Sequence, residues 1–571
     1  MSETTNDELA GIQSGDSKTP SRPKIAGAGW DLPPAQHTTE ELANQASHPL
    51  LTPNAQRPVI GDALDRIWRR IEGLFDVVYT SNYNPLHRSG AIAILLFGVA
   101  LVTGVWLFLM FSTAFPYESI KAMHEQWWGG RWIRSLHRYA ADAAMVMVLI
   151  HIAKVFVSGK TWGPRAMAWI SGIFLVGLML ICGWSGIVML WDTQGMMVAL
   201  ELAKMVDLFP VLSEPIARSF AGDQAVMGTF FFLNLFLHVA MPLGLAGGLW
   251  IHTSRVARPA LLPPKKLGYA VVGGLTALAM LKPLTLLAPA DALEIPGVVQ
   301  LDIFYSFWIP IAREYGPTGL LTFFTSLLFV AVSVPWWWRP ALSRRSGPSF
   351  VDERRCEGCM QCYLDCPYDA IDMVKRENRR DDQSAAVARV SPDVCVRCGI
   401  CSGSCDPMSV GPPNRTGKDQ LRRARNFIQA APFPEKAVVV VGCSRASVLA
   451  DKISMLNGFV HYPVDCAGSV HSTIIEYILR RGGAGVVVWT CPPRDCNFRE
   501  GPKWVFERLF RGREAKLREN IDKRRIKILH ASAAEFSKVR SELLAFQTFV
   551  TGLPVDPQSR NAVKEGVDAN E

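Results

Sequence analysis

Six stretches of this chain, at about 89–112, 136–157, 166–191, 226–252, 267–288 and 317–338, are near or above the length of apolar sequence that crosses a bilayer, roughly 20 residues as helix. That feature excludes a purely soluble globule. It makes the front of the molecule an all-α bundle in lipid, because a helix satisfies its own backbone there. The charge is divided in the same way. Residues 1–338 hold 23 Lys/Arg and 23 Asp/Glu, and residues 339–571 hold 37 and 28, so the rear carries the whole formal charge of +9. Twelve of the 13 Cys also follow residue 338. They are too few for a disulfide scaffold at this length, so their spacing carries the information.

Residues 1–60 are rich in Ser, Thr, Pro, Asn and Gln without apolar periodicity, and are expected to form a disordered tail, with a second tail at 551–571. No basic segment precedes an apolar core near the start, so a cleavable signal peptide is not expected. Within 61–80, Leu64, Ile67, Trp68, Ile71 and Leu74 share one helical face, suited to a membrane interface or to an ordinary surface. Basic residues gather before the first apolar stretch (Arg69, Arg70, Arg88) and between the second and third (Lys154, Lys160, Arg165). They gather again between the fourth and fifth (Arg255, Arg258, Lys265, Lys266) and after the sixth (Arg339, Arg344, Arg345). The positive-inside rule then predicts a multi-pass protein of the inner membrane with both termini and the Cys-rich region cytoplasmic. Basic residues in the loop 113–135 run against that assignment.

Four of the 11 His have a telling placement. His137 and His151 lie 14 apart on the second stretch, and His238 and His252 lie 14 apart on the fourth. Fourteen residues is nearly four helical turns, about 21 Å, so each pair faces one way. Two such helices side by side offer one His–His site near each membrane surface. Polar rings inside a membrane are expensive and by default functional, and imidazole on both sides of a haem iron is the natural filling. Lone histidines bonded to backbone carbonyls, or a different metal site, are the alternatives. Gly90 and Gly104, and Gly172 and Gly186, repeat the 14-residue spacing on the first and third stretches. Glycine there lets a helix backbone approach the edge of a flat porphyrin, or serves plain helix packing.

LVTGVW (101–106), SLHRYAADAAMVMVLIH (135–151) and GIVMLWDTQ (186–194) resemble cytochrome b of bc-type quinol-oxidising complexes, over about residues 61–258. The resemblance implies two b haems, held by His137 with His238 on the outer side and His151 with His252 on the cytoplasmic side. It also implies that Arg134, three residues before the first ligand, meets a haem propionate. Residues 259–340 are expected to add two further transmembrane helices, and 267–338 resemble the C-terminal part of that family, in which a loop helps form the outer quinol site. QLDIFYSFWIP (300–310) stands there, with Asp302 and Tyr305 as candidate quinone-site residues, or as an ordinary connector. A homodimer through this half is a further expectation. Cys182 lies inside an apolar stretch and reads as an inert small residue.

CEGCMQCYLDCP (356–367) and CVRCGICSGSC (395–405) give the Cys-x2-Cys-x2-Cys-x3-Cys run twice. Three close thiolates hold one cubane, and the fourth Cys of each run serves the other cluster. Cys356, Cys359, Cys362 and Cys405 are therefore expected on one [4Fe–4S], and Cys395, Cys398, Cys401 and Cys366 on a second. Zinc is the alternative. Residues 350–412 resemble bacterial two-cluster ferredoxins, which implies an α+β domain. Asp406 departs from the Pro expected after the second run.

VVVVG (438–442), FVHYPV (459–464), GVVVWT (485–490) and IKILHA (526–531) read as buried strands alternating with helices, hence a C-terminal α/β domain with a parallel sheet. Cys443, Cys466 and Cys491 each fall at a strand's C-terminal end, where such sheets build their sites, and Cys496 follows closely. Four thiolates there suit a [2Fe–2S] cluster or zinc. GCS (442–444), DCAGSV (465–470) and CPPRDCNFREG (491–501) resemble the delta, iron–sulfur subunit of methyl-viologen-reducing hydrogenases over about 435–550. That resemblance implies a [2Fe–2S] link to a heterodisulfide-reductase-like flavoprotein and its associated dehydrogenase subunits. The first motif has a single Cys where that family commonly has more.

The modules suggest a wire running from the [2Fe–2S] through two [4Fe–4S] clusters to the cytoplasmic and then the outer haem, joining a cytoplasmic flavoprotein to membrane quinone. Two rival readings stand. In one, the rear docks a dehydrogenase through structural zinc; in the other, electrons leave to a periplasmic acceptor. The basic run from Arg508 to Lys527 suits a solvated face, anionic headgroups or an acidic partner surface, and nucleic acid is not an expected partner.

Overall fold

The computed structural model describes residues 59–162, 165–209, 216–217, 228–254, 261–291, 302–338, 347–377, 383–430, 436–444, 453, 456–493, 496, 498–531 and 535–554. The expected N-terminal tail, most of the C-terminal one, and the basic residues Arg255, Arg258, Arg339, Arg344 and Arg345 lie outside the described residues.

The front half is helical. An amphipathic helix α1 (Val59–Tyr83) leads to α2 (Ser89–Met110), a short α3 (Pro116–Glu125), α4 (Gly130–Val157), α5 (Ala166–Leu190), α6 (Thr193–Val206), α7 (Gly228–Ser254), α8 (Lys265–Leu281) and α9 (Ile309–Trp337). Among the described residues five helices, α2, α4, α5, α7 and α9, are long and apolar enough to cross a membrane. The expected span at 267–288 is shorter as a helix. It ends at Leu281 after 17 residues, about 25 Å, because Pro283 disfavours helical backbone at Lys282. The rest of that stretch is an irregular strap across the bundle end. Leu284 N donates to Ser135 Oγ, Tyr117 Oη and Tyr139 Oη donate to Leu287 O and Lys282 O, and Thr193 N donates to Ala288 O. In α9 the helix breaks at Gly316 (φ 68°, ψ −175°), just before Pro317, so the membrane-length piece is its second part.

The rear half opens with two small antiparallel pairs. β1 (Phe350–Val351) pairs with β4 (Val410–Gly411), and β2 (Ile371–Lys375) with β3 (Ala386–Val390). The short helices α10 (Gln361–Asp365) and α11 (Ile400–Ser404) carry the Cys runs, and α12 (Gly417–Ala430) leads onward. Then comes a four-stranded parallel sheet, β5 (Val438–Cys443), β6 (Phe459–Val464), β7 (Gly485–Thr490) and β8 (Ile526–His530), in the order β6-β5-β7-β8. Every residue of β5 and β7 is buried, which is why both read as unbroken apolar runs rather than alternating ones. Helices α13 (Ser472–Arg480), α14 (Gly501–Phe510) and α15 (Phe536–Thr551) cover it.

The basic run at 508–527 is divided: Arg511, Lys516, Arg518, Lys523 and Arg524 are exposed, while Arg508 and Arg525 are buried. Arg508 on α14 is fully buried. It donates to Ser404 Oγ at 3.0 Å and to the carbonyls of Gly468 and Val470, tying the ferredoxin-like part to the sheet domain. Arg513 pairs with the buried Asp365, Arg518 with Glu476, Arg524 with Asp522 and Lys527 with Glu542. Arg508→Ala should therefore cost about 3 kcal/mol or more, because it strands buried acceptors and the nearby Asp365. Earlier thermal bleaching of cluster absorbance in the full chain is the expected result. An unchanged bleaching temperature would show that the junction does not depend on this side chain.

Candidate redox centres

The histidine-bearing helices α4 and α7 each pack along a glycine-bearing one, α2 and α5. A Cβ on Gly104 would meet His137 Cε1 at 3.1 Å, on Gly186 His238 Cε1 at 2.9 Å, on Gly172 His252 Cε1 at 3.2 Å, and on Gly90 His151 Nδ1 at 3.0 Å. The glycines thus make room for the imidazoles themselves, a nearer neighbour than the porphyrin edge the sequence suggested. Close approach lets the rings bond to the facing backbone. His137 Nδ1 donates to Ala100 O at 3.0 Å, His238 Nδ1 to Cys182 O at 3.0 Å, and His252 bonds to the carbonyl of Ala168. Each acceptor lies four residues before the glycine. A hydroxyl one residue before the glycine touches Nδ1 of the ring: Thr103 at 3.1 Å, Ser185 at 3.1 Å and Ser171 at 3.0 Å.

A carbonyl can only accept, so Nδ1 carries the proton in the His137 and His238 rings and Nε2 is left with a lone pair for a metal. The rings of His137 and His238 are 6.4 Å apart, centre to centre. Two metal–nitrogen bonds of about 2 Å aimed at one ion give ring centres roughly 6 Å apart, so this pair fits an iron between them. His151 and His252 are also neighbours. The Ser/Thr-Gly pairs at 89–90, 103–104, 171–172 and 185–186 were a sequence signal that the His and Gly spacing left unused.

All four histidines and all four glycines line one cavity of about 1110 Å³, large enough for big planar ligands. Arg134 lines it too. Its Nη2 donates to Leu284 O at 2.6 Å, while its Nε is buried without a hydrogen-bond partner among the described residues. At that end of the cavity stand Asp192, Asp302 and Tyr305. Asp192 caps α6 by accepting from Gly195 N at 2.9 Å. Asp302 accepts from the backbone amides of Phe304 and Tyr305 and pairs with Arg138. Arg138 also binds Asp142 at 2.9 Å and lies over the Tyr305 ring. Sequence reasoning missed Arg138 and Asp142, although both follow His137 on α4. Cys182, besides its carbonyl, puts its sulfur 3.9 Å from His238 Nδ1.

The two ferredoxin-like runs fold alike. Gly358 and Gly399 take φ of 69° and 77°, and Met360 and Arg397 both take 63°. Left-handed residues of this kind turn successive amides inward, forming an anion-binding nest. Four residues after the last Cys of each run, an amide donates to its sulfur: Ala370 N to Cys366 at 3.3 Å and Ser409 N to Cys405 at 3.3 Å. Cys362, Cys366, Cys395, Cys398, Cys401 and Cys405 are buried, and Cys356 and Cys359 are half-buried. Burial and then the neighbouring Cys366 and Cys395 push the Cys398 thiol up to about 12. Thiolates crowded this way need cationic partners, which iron supplies.

Past the sheet's C-terminal edge, Cys443 Sγ lies 3.7 Å from Cys491 Sγ. Cys496 hydrogen-bonds to Cys466 and Cys491. A Cβ on Gly501 would touch the sulfurs of Cys466 and Cys496 at 3.1 and 3.2 Å, so glycine keeps that wall open. All four cysteines are thus brought together. No group of three or more His, Cys, Asp or Glu suited to a single metal ion occurs among the described residues. Cys466 also neighbours Cys398 of the second run, and Cys496 lines the membrane cavity together with Tyr368, Val394 and Val396.

Three family descriptions match separate parts of the chain: cytochrome b/b6/petB at 74–257, the 4Fe-4S dicluster domain at 355–407, and the methyl-viologen-reducing hydrogenase delta subunit at 437–553. The chain is a fusion of three redox modules resembling these families. The membrane part is 24% identical over 212 residues to the menaquinol:cytochrome c reductase cytochrome b subunit of Geobacillus thermodenitrificans, covering 35% of this chain and 92% of that one. It is 27% identical over 193 residues to cytochrome b of Akanthomyces muscarius, covering 33% of this chain and about half, 49%, of that relative. A solved structure titled hyperthermophilic respiratory Complex III aligns with TM-score 0.35 and 17% identity, over 50% of this chain and 85% of that one. The fusion is a multi-pass membrane protein and an electron-transfer component of an oxidoreductase.

Proposed function

We propose that this fusion carries electrons between a cytoplasmic flavoprotein of heterodisulfide-reductase type and the membrane quinone pool. Its centres would be two [4Fe–4S] clusters, one [2Fe–2S] and two b haems, with both termini and the iron–sulfur domains on the cytoplasmic side of a six-span protein. The observation that carries the reading is the single cavity that begins at Asp302 and Tyr305, passes both histidine pairs and ends at Cys496. Haem and iron–sulfur groups supply one-electron chemistry when bound, and the chain's part is to place and insulate them.

The contacts support an order different from the one the domain sequence suggests. Cys496 is on the cavity wall and Cys466 is beside Cys398, whereas Cys356 and Cys359 are the half-buried thiols. The path then runs from the first ferredoxin ligand set to the second, on to the C-terminal cysteines, and from there to His151 and His252. The four cysteines, with Cys496 hydrogen-bonded to both Cys466 and Cys491 and Cys491 close to Cys443, support a cluster held by all four.

At the far end, Asp302 is the proton acceptor proposed for quinol. Arg138, shared with Asp142, holds it in place. Asp302→Asn should leave haem content and cluster signals intact and slow quinol-driven haem reduction by about a hundredfold, the scale of a lost general base. Unchanged turnover with quinol analogues would move the site to the cytoplasmic side.

A further inference from the structure

The cavity has a second end, walled by side chains that the membrane helices do not supply. Tyr368 from the ferredoxin-like part accepts a hydrogen bond at its hydroxyl from Arg165 Nη2, at 2.8 Å, where α5 begins. Arg499 from the C-terminal domain lies over the same ring, its guanidinium carbon 4.9 Å from the centroid. All three residues line the cavity with His151 and His252. Arg499 takes a left-handed backbone (φ 68°), which L residues rarely adopt. Its Nη1 is buried without a hydrogen-bond partner among the described residues. The adjacent Glu500 accepts from the Trp504 indole at 2.9 Å.

Two guanidiniums on one tyrosine, with an unspent buried N–H, form a site for an anion. We infer that Arg499 and Arg165 bind the carboxylates of the inner haem, so that the C-terminal domain completes a cofactor site inside the membrane part. This rests on the two-haem reading above. Anionic lipid phosphate at the membrane face shares the chemistry and is the competing source. A propionate clamp couples the modules: the inner haem's potential depends on a residue three positions from Cys496. Cationic neighbours disfavour the ferric state, so removing one lowers the potential.

The test is a redox titration of the purified full-length protein, following haem absorbance. The wild type should show two haem waves. Arg499→Gln should move one of them to lower potential and leave the other in place, and Arg499→Lys should restore most of the shift. Arg165→Gln, which leaves the C-terminal domain untouched, should move the same wave and keeps the test valid if Arg499→Gln perturbs the cluster resonance. Two wild-type waves unmoved by either Gln variant would overturn this inference alone. Unmoved waves with loss of co-purifying phospholipid phosphorus would assign the site to a headgroup and overturn it as well. A wild type without two haem waves would remove the earlier reading together with this one.

Discussion

His137→Ala should leave the chain with one haem in place of two. His238→Ala should give the same spectrum, and His151→Ala and His252→Ala should both remove the other haem. The grouping follows from the rings: His137 faces His238 at 6.4 Å and His151 neighbours His252. The lost haem would have one imidazole and a gap where the second bond belongs. Gly186→Val should act like His238→Ala, because even its Cβ would sit 2.9 Å from His238 Cε1, forcing the ring off its carbonyl. Haem per chain, read from the pyridine haemochrome, is the measurement. Unchanged content in any histidine variant would remove that residue from the ligand set.

Replacing Cys466 with Ser should cut the route between the clusters and the haems. Cys466 stands between the two sides, close enough to Cys398 for their charges to interact and hydrogen-bonded to Cys496, which lines the cavity. In membranes carrying the full chain, the [2Fe–2S] resonance should vanish. Haem reduction by quinol should persist at its normal rate, because the proposed quinol site lies at the opposite end. Oxidation of those haems by an acceptor working through the ferredoxin-like part should fall to background. If that oxidation continues, the second [4Fe–4S] cluster passes electrons to the haem directly and the C-terminal cluster is a side branch. One zinc per chain, with no iron at these four cysteines, would instead establish the docking role.

Local signals were readable because they arise from one segment at a time. The four sheet strands are read to within a residue of their observed limits, and β5 and β7 are the Val-rich ones, since a strand buried on both faces has no polar positions. The 14-residue spacings of His and Gly place side chains on one face of any helix, whatever surrounds it. The Cys runs announce their chemistry because thiolates at that spacing must share a metal. One local signal runs past its element: the stretch 267–288 is apolar throughout most of its length, yet Pro283 ends its helix at Leu281.

What only the tertiary structure decided are the encounters between segments far apart in the chain. No periodicity says that Ala100, Cys182 and Ala168 offer their carbonyls to histidines, since that depends on how closely two helices pack at a glycine. Asp302 meets Arg138 across 164 residues and Arg165 meets Tyr368 across 203. Arg508 looked like part of a solvated basic run and is fully buried, because its surroundings come from Ser404, Gly468 and Val470. Sequence determined which residues are able to hold iron and which segments suit lipid, because valence and hydrophobicity belong to side chains. Packing determined which distant cysteines and histidines come together and the closing of the cavity by Tyr368 and Arg499, because distance between segments is set by the fold as a whole.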